Sequence, residues 1–135
     1  MASRRGGRIA VTLAAAGLAV GAAACGSDTP AVQLSDAAAA GRSLMISSGC
    51  AACHGSDGGG GVGPAFVGLF MSDRPLSDGT IVTADRDYLV ESIMMPGMKQ
   101  VEGYSLPMPS NSLTRDEVDL IVGYIVELAT SGTTP

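Results

Sequence analysis

The sequence predicts a small all-α domain of about three to four helices, with long loops and at most a minor β-hairpin. The chain has 135 residues, of which 19 are glycine and 7 are proline, as expected for one domain rich in loops. Three segments combine a helix-capping residue with apolar residues at helical spacing. Aromatic residues make up only 4% of the chain, so the core is thin unless a large apolar group fills it.

The first predicted helix covers residues 37–47. Ser35 is a good N-cap, and Asp36 suits the positive N-terminal end of a helix. Gly49 follows and predicts the end of the helix, because glycine readily adopts the left-handed conformation of a C-terminal cap.

Two further helices follow along the chain. Asp85 caps a helix that covers Tyr88 to Met95 and ends at Pro96. Thr114 begins the last helix, and Glu117 completes a capping box three residues later. The last helix has an apolar face formed by Val118, Ile121, Val122, Ile125 and Leu128.

The segments between the helices are predicted to be loops. Residues 55–63 are dense in glycine and predict a flexible turn, since a phosphate-binding loop needs a Gly-Lys-Ser/Thr end and no lysine precedes Lys99. Asp78-Gly79 between apolar residues predicts a hairpin over residues 76–82. Residues 103–112 contain two prolines and predict an extended loop.

The N-terminus has the layout of a secretory signal peptide, which we expect to cover residues 1–24. An arginine-rich start, an apolar stretch over residues 9–20 and small residues lead to Cys25. Cys25 follows three alanines and resembles the acylated cysteine of a bacterial lipoprotein. Ordinary cleavage or an uncleaved anchor is the alternative, and Arg4-Arg5 only weakly matches a twin-arginine signal.

The sequence after the predicted signal peptide has three predicted parts. We expect a flexible tether over residues 25–34, the folded domain over residues 35–131 and a disordered tail over residues 132–135. Because residues 1–24 contain three arginines and no acidic residue, their removal changes the net charge from −5 to −8. This acidic balance argues against nucleic acid as a partner.

The sharpest motif is Cys-x-x-Cys-His, formed by Cys50, Cys53 and His54. This pattern predicts covalent attachment of c-type haem, with thioether bonds from both cysteines and the histidine on iron. A thioredoxin-like pair would need a βαβ frame, which the sequence does not indicate. Zinc would need a fourth ligand, and a plain disulfide would leave the histidine and the export signal as coincidences.

The sixth iron ligand cannot be a second histidine, because His54 is the only one in the chain. Methionine is the usual alternative in electron carriers. Met108 is the preferred candidate, because Pro107 and Pro109 stiffen its loop and lower the entropic cost of presenting it. Met98 is the second candidate for the iron ligand. The alternative for Met98 is a purely structural role, in which its side chain fills a gap in a loop or in the core.

The residues resemble class I c-type cytochromes, and most of all the cytochrome c domain that ends subunit II of caa3-type oxidases. The similarity covers roughly residues 36–130. It is carried by 49–54 (GCAACH), 61–64 (GVGP), 68–70 (GLF), 78–80 (DGT), 83–85 (TAD), 88–89 (YL), 91–93 (ESI), 103–104 (GY) and 108–109 (MP). The chain has no membrane hairpin or second histidine for a copper domain, so it resembles a free-standing version of that domain.

The resemblance implies a class I cytochrome c fold around one haem, with His54 and Met108 on iron and both cysteines in thioether bonds. It also implies that the Pro64 carbonyl accepts a hydrogen bond from His54. Gly41 would let the first helix cross closely against Tyr124. The tryptophan that often contacts a haem propionate in this family is missing, and the candidates to replace it are Arg74, Tyr88 and Tyr104.

The expected function is one-electron transfer rather than catalysis, because two fixed axial ligands leave no open position on iron. We expect an exported, lipid-anchored monomer, in the periplasm or on the outer face of the cytoplasmic membrane. Its partners would be a terminal oxidase or a quinol-oxidising complex. One alternative is an electron-entry subunit of an oxidase or reductase. A haem-based ligand sensor is the weaker alternative, because a sensor usually has a signalling domain and none fits in a chain of this length.

Overall fold

The computed structural model describes residues 33–131, which form four helices and two short strands. The predicted signal peptide, Cys25, the predicted tail and most of the predicted tether lie outside the described residues. The elements in chain order are α1 (Asp36–Ser47), α2 (Ala51–His54), β1 (Asp73–Pro75), β2 (Ile81–Thr83), α3 (Arg86–Met94) and α4 (Arg115–Ser131). The predicted fold class is confirmed.

The predicted caps begin the three longer helices. The Ser35 hydroxyl accepts a hydrogen bond from the Ala38 amide at the start of α1, and the Asp85 carboxylate accepts one from the Tyr88 amide at the start of α3. At α4, the Thr114 amide and hydroxyl donate to the Glu117 carboxylate at 2.8 and 2.9 Å. These bonds satisfy groups that a helix terminus otherwise leaves unpaired.

The two strands form the predicted hairpin. They pair antiparallel, with Arg74 opposite Val82, and Gly79 turns the chain with a φ of 84°. An isolated bridge joins Leu76 to Val101, beyond α3. The hairpin is therefore tied to the loop that leads towards Met108.

Helices α1 and α4 cross closely at Gly41. A Cβ atom on Gly41 would lie 2.0 Å from the Leu120 carbonyl oxygen and 3.2 Å from the Ile121 amide nitrogen. The expected close crossing of the two helices at Gly41 is present, and the nearest α4 atoms belong to the backbone of Leu120 and Ile121, about one turn before Tyr124. Tyr124 is buried beside Arg42, and its burial raises the pKa of its hydroxyl.

The core gathers on one face of α4 and is completed by α1 and α3. Its buried members include Met45, Leu89, Val118, Ile121 and Ile125. Met45 is fully buried in this core. None of the helices within residues 33–131 is long and apolar enough to span a membrane.

Candidate functional site

The cysteine motif forms a single helical turn directly after α1. Gly49, with a φ of 82°, reverses the chain so that Cys50 begins a new turn. The amides of Cys53 and His54 both donate to the Cys50 carbonyl, at 3.1 and 3.0 Å. Cys50 and Cys53 are three positions apart, and because this turn is helical, their side chains lie on the same side of it. Both cysteines line the same cavity.

His54 is held in a fixed orientation from two sides. Its Nδ1 lies 2.8 Å from the Pro64 carbonyl oxygen, and its ring stacks on Phe66 with centroids 4.6 Å apart. A carbonyl oxygen only accepts, so Nδ1 is the donor of this hydrogen bond and Nε2 is the ring nitrogen available to a metal. A hydrogen bond of this kind also makes the opposite nitrogen a stronger donor to a metal.

The glycine-rich loop places Pro64 beside His54 by bonding back to the cysteine turn. The Gly60 amide donates to the His54 carbonyl at 2.9 Å, and the Gly63 amide donates to the Cys53 carbonyl at 3.0 Å. A Cβ atom on Gly63 would lie 2.9 Å from the His54 ring. Gly63 thus allows the loop to pack closely against the His54 ring. The sequence pattern predicted only a flexible turn for this segment.

The cavity beside this turn has a volume of about 330 Å³ and mainly apolar walls. Apolar residues from α1, α3, α4 and the loops line it, among them Met45, Leu69, Leu89, Ile93, Ile121 and Ile125. An apolar space of this kind suits a porphyrin ring, whose faces are apolar. The structure therefore supplies the room for the large apolar group that the aromatic-poor core predicted.

Met108 lines the same cavity from the loop that precedes α4. Asn111 holds that loop to α3, because its side-chain amide donates to the Ile93 carbonyl at 2.7 Å. Met98 lines a separate hollow, which it shares with Met108. Of the two candidate methionines, Met108 is the one that shares the cavity with His54.

The cavity wall includes polar side chains that fit the propionate groups at the edge of a haem. Within residues 33–131, the buried Nε of Arg74 has no hydrogen-bond partner. Arg74 lines the cavity together with Tyr88 and Tyr104. An unpaired buried donor is costly, and a haem propionate is a group that would satisfy it. Lys99, also on the wall, forms an ion pair with Glu91.

The two motif cysteines are free thiols in the described residues. Burial raises the pKa of the Cys50 thiol, with a smaller rise from neighbouring Cys53. Two partly buried thiols beside an apolar cavity fit attachment to haem vinyl groups through thioether bonds. The chemistry that such a haem supplies is one-electron exchange at iron.

The structure brings together all the predicted site residues that it describes: Cys50, Cys53, His54, Pro64 and Met108. Sequence reasoning missed Phe66, Gly63 and Asn111. Phe66 had no distinguishing signal among the aromatic residues. Asn111 follows the Met-Pro pair closely, which is the one local hint that it anchors the methionine loop.

Comparison with known proteins agrees with this geometry. A search of curated proteins returned no match. The family model described as cytochrome c matches residues 38–129, which is more than half of the chain. The chain therefore belongs to the cytochrome c family, whose domain is that of an electron-transfer protein with covalently bound haem c.

Proposed function

We propose that this protein is a monohaem one-electron carrier with His54 and Met108 as the axial ligands of iron. The observation that carries the proposal is the fixed His54 ring. Its Nδ1 is hydrogen-bonded to the Pro64 carbonyl oxygen, and Met108 lines the same cavity as His54. Both ligand types are those of electron-transferring cytochromes c, in which methionine raises the reduction potential.

The protein's own residues would set the properties of the iron. The Pro64 carbonyl orients the His54 ring and increases its basicity. Asn111 and the flanking prolines hold the Met108 loop, which keeps the sixth position filled. Arg74 would donate to a propionate and place a positive charge beside the ring. Apolar walls exclude water, and a closed iron suits electron transfer better than substrate chemistry.

The place of action that we propose is outside the cytoplasm. The signal-like residues 1–24 and the lipoprotein-like Cys25 support an exported protein tethered to the outer face of the cytoplasmic membrane. The resemblance to the cytochrome domain of caa3-type oxidases favours a terminal oxidase as acceptor and a quinol-oxidising complex as donor. A tether would raise the effective concentration near such complexes.

The charge of the protein predicts the kind of docking surface that its partner presents. The mature chain would carry a net charge of −8 and has a single lysine, Lys99. A partner with a basic surface would be steered towards it, and that association would weaken as the salt concentration rises. A salt-independent association would instead indicate apolar docking.

The decisive experiment is the visible and near-infrared spectrum of protein matured in an exporting host, in ferric and ferrous forms, with and without carbon monoxide. We expect a low-spin c-type spectrum with the weak ferric methionine–iron band and no response to carbon monoxide. A high-spin or carbon-monoxide-binding spectrum would contradict the axial assignment and favour an enzyme or sensor. Absence of covalent haem would overturn the whole proposal.

The anchor needs its own test. Changing Cys25→Ser should move the haem-containing protein from the membrane fraction to the soluble periplasmic fraction. Ser27→Ala is the matched control, because it changes a neighbouring polar residue and keeps the cysteine. Retention of the Cys25→Ser protein on membranes would refute the lipid anchor. Co-purification with a membrane complex would separate a fixed subunit from a mobile carrier.

A further inference from the structure

Four of the methionines line one open hollow at the surface. Its lining consists of Met94, Met95, Pro96, Gly97, Met98, Met108 and Ser110. The other two methionines of residues 33–131 lie elsewhere: Met45 is in the core, and Met71 is exposed at the surface. Apart from Met108, the methionines of this hollow belong to neither the core nor the haem cavity.

The chain brings three of these methionines together by reversing direction after α3. Met94 ends α3, and Met95 caps it with its amide bonded to the Glu91 carbonyl. The Met98 amide donates to the Met95 carbonyl at 3.0 Å, which closes a turn around Pro96 and Gly97. Met94, Met95 and Met98 consequently line one hollow from a single short segment.

These three side chains are accessible to a ligand from solvent. Met94, Met95 and Met98 are 42%, 52% and 66% exposed. Exposure of three long apolar side chains costs hydrophobic free energy that burial would recover. Methionine has three rotatable side-chain bonds and a polarizable sulfur, so each of these exposed thioethers is free to reorient towards a ligand.

The chemistry of the lining selects the kind of ligand. As far as residues 33–131 show, no charged side chain lines the hollow, and Ser110 provides its one side-chain oxygen. Hard cations such as Mg²⁺ and Ca²⁺ need several oxygen ligands. Thioether sulfur is a soft donor that selects Cu(I) among biological metal ions. Ag(I), which is also soft and monovalent, is the matching redox-inert probe.

We propose that Met94, Met95 and Met98 form a surface site for a soft monovalent cation of the Cu(I) class. This site adjoins the haem cavity, because Pro96, Gly97, Met108 and Ser110 line both spaces, whereas Met94, Met95 and Met98 do not line that cavity. The site goes beyond the proposed electron-carrier function. Met108 lines both spaces, so the bound ion would lie on the outer side of the loop that carries the proposed iron ligand. No electron transfer is required for binding, because the ion enters and leaves as the monovalent cation.

The test uses the haem-containing protein with Cys25→Ser, so that no thiol outside the haem motif competes for the ion. Covalent haem is verified first by absorbance, since unattached Cys50 and Cys53 would bind the ion themselves. Ag(I) is titrated calorimetrically, and Cu(I) is then titrated anaerobically into the ferrous protein against a competing chelator. We expect one ion per protein.

The variants Met95→Leu and Met98→Leu conserve side-chain volume and remove the sulfur. Each should weaken binding by about tenfold or more, the effect expected of losing one ligand. Met71→Leu is the matched control, because Met71 is 61% exposed and does not line the hollow. An unchanged haem spectrum in each variant shows that the protein still folds.

Three results would overturn the site. One is no measurable Ag(I) or Cu(I) binding. Another is binding that Met95→Leu and Met98→Leu leave unchanged. The third is loss of the ferric methionine–iron band upon binding, which would place the ion on Met108. Failure of the axial assignment would appear earlier, in the spectrum of the ion-free protein, so the two proposals fail in distinguishable ways.

Discussion

Gly41 of α1 lies so close to the backbone of Leu120 in α4 that a Cβ atom would stand 2.0 Å from the Leu120 carbonyl oxygen. Backbone atoms cannot rotate away as a side chain can, so the helices themselves would have to separate. Gly41→Ala should therefore lower the free energy of unfolding by about 2 kcal/mol or more, as measured by urea denaturation of the haem-containing protein.

Gly123→Ala in α4 is the matched control for this change. Apart from the adjoining backbone of α4 itself, no atom would lie within 4 Å of a Cβ at this position, so alanine should stabilise the helix by about 0.5–1 kcal/mol. If Gly41→Ala left the unfolding free energy unchanged, the close crossing of α1 and α4 would be refuted.

Met108→Ala should leave haem attached through the cysteines and open the sixth position of iron. The expected result is loss of the ferric methionine–iron band and binding of carbon monoxide by the ferrous protein. Met98→Leu should keep the band and exclude carbon monoxide, because Met98 does not line the haem cavity. A Met108→Ala protein with the spectrum of the parent would remove Met108 from the ligand set.

Arg74→Gln should lower the reduction potential. Ferric haem carries one more positive charge than ferrous haem, so a nearby guanidinium disfavours the ferric form, and its removal relieves that repulsion. Arg74→Lys keeps the charge and should retain most of the parent potential. Arg115→Gln is the control, because Arg115 pairs with Asp119 on the surface of α4. Equal potentials in the parent and Arg74→Gln would exclude the propionate contact.

Glu127 joins the start of α1 to α4 and should make stability depend on pH. Hydrogen bonds from the Ser35 hydroxyl and then the Ser35 amide hold the pKa of Glu127 below its ordinary value of 4.5. Because the pKa is lowered by folding, this stabilisation is complete above the ordinary value and is lost as the pH falls through the folded value.

Glu127→Gln should therefore reduce the urea midpoint at about pH 7 and have a smaller effect at an acidic pH below the folded pKa of Glu127, where the parent carboxylate is also protonated. Glu102→Gln removes the same charge from an exposed loop and controls for net charge. A Glu127→Gln effect that is the same at both pH values would show that the Ser35 contact does not depend on ionisation.

The elements of this fold that could be predicted are those whose interacting residues lie close together in the sequence. Ser35, Asp85 and Thr114 each begin a helix through a bond to a residue three positions on, so a short window of sequence contains both partners. The cysteine motif is local in the same sense. Asp78-Gly79 likewise specifies its own turn.

The contacts that could not be predicted join residues far apart in the chain. Asn111 bonds to Ile93 across 18 positions, and no short pattern links them. The resemblance implied a close crossing of Gly41 against Tyr124, and the atoms nearest to a Cβ on Gly41 are those of the Leu120 backbone, one helical turn before Tyr124. A sequence indicates that two helices approach at a glycine, but the register of the crossing depends on the packing of all the side chains around it.

Lys99 lies on the rim of the haem cavity, in an ion pair with Glu91, and is the single lysine of the chain. Apart from the N-terminus, an amine-directed reagent therefore has one possible attachment point. A fluorophore coupled there would be quenched by a neighbouring haem, and a bound partner that covered the rim would change its emission. The distribution of one residue type thus provides a built-in position for observing complex formation without engineering a cysteine.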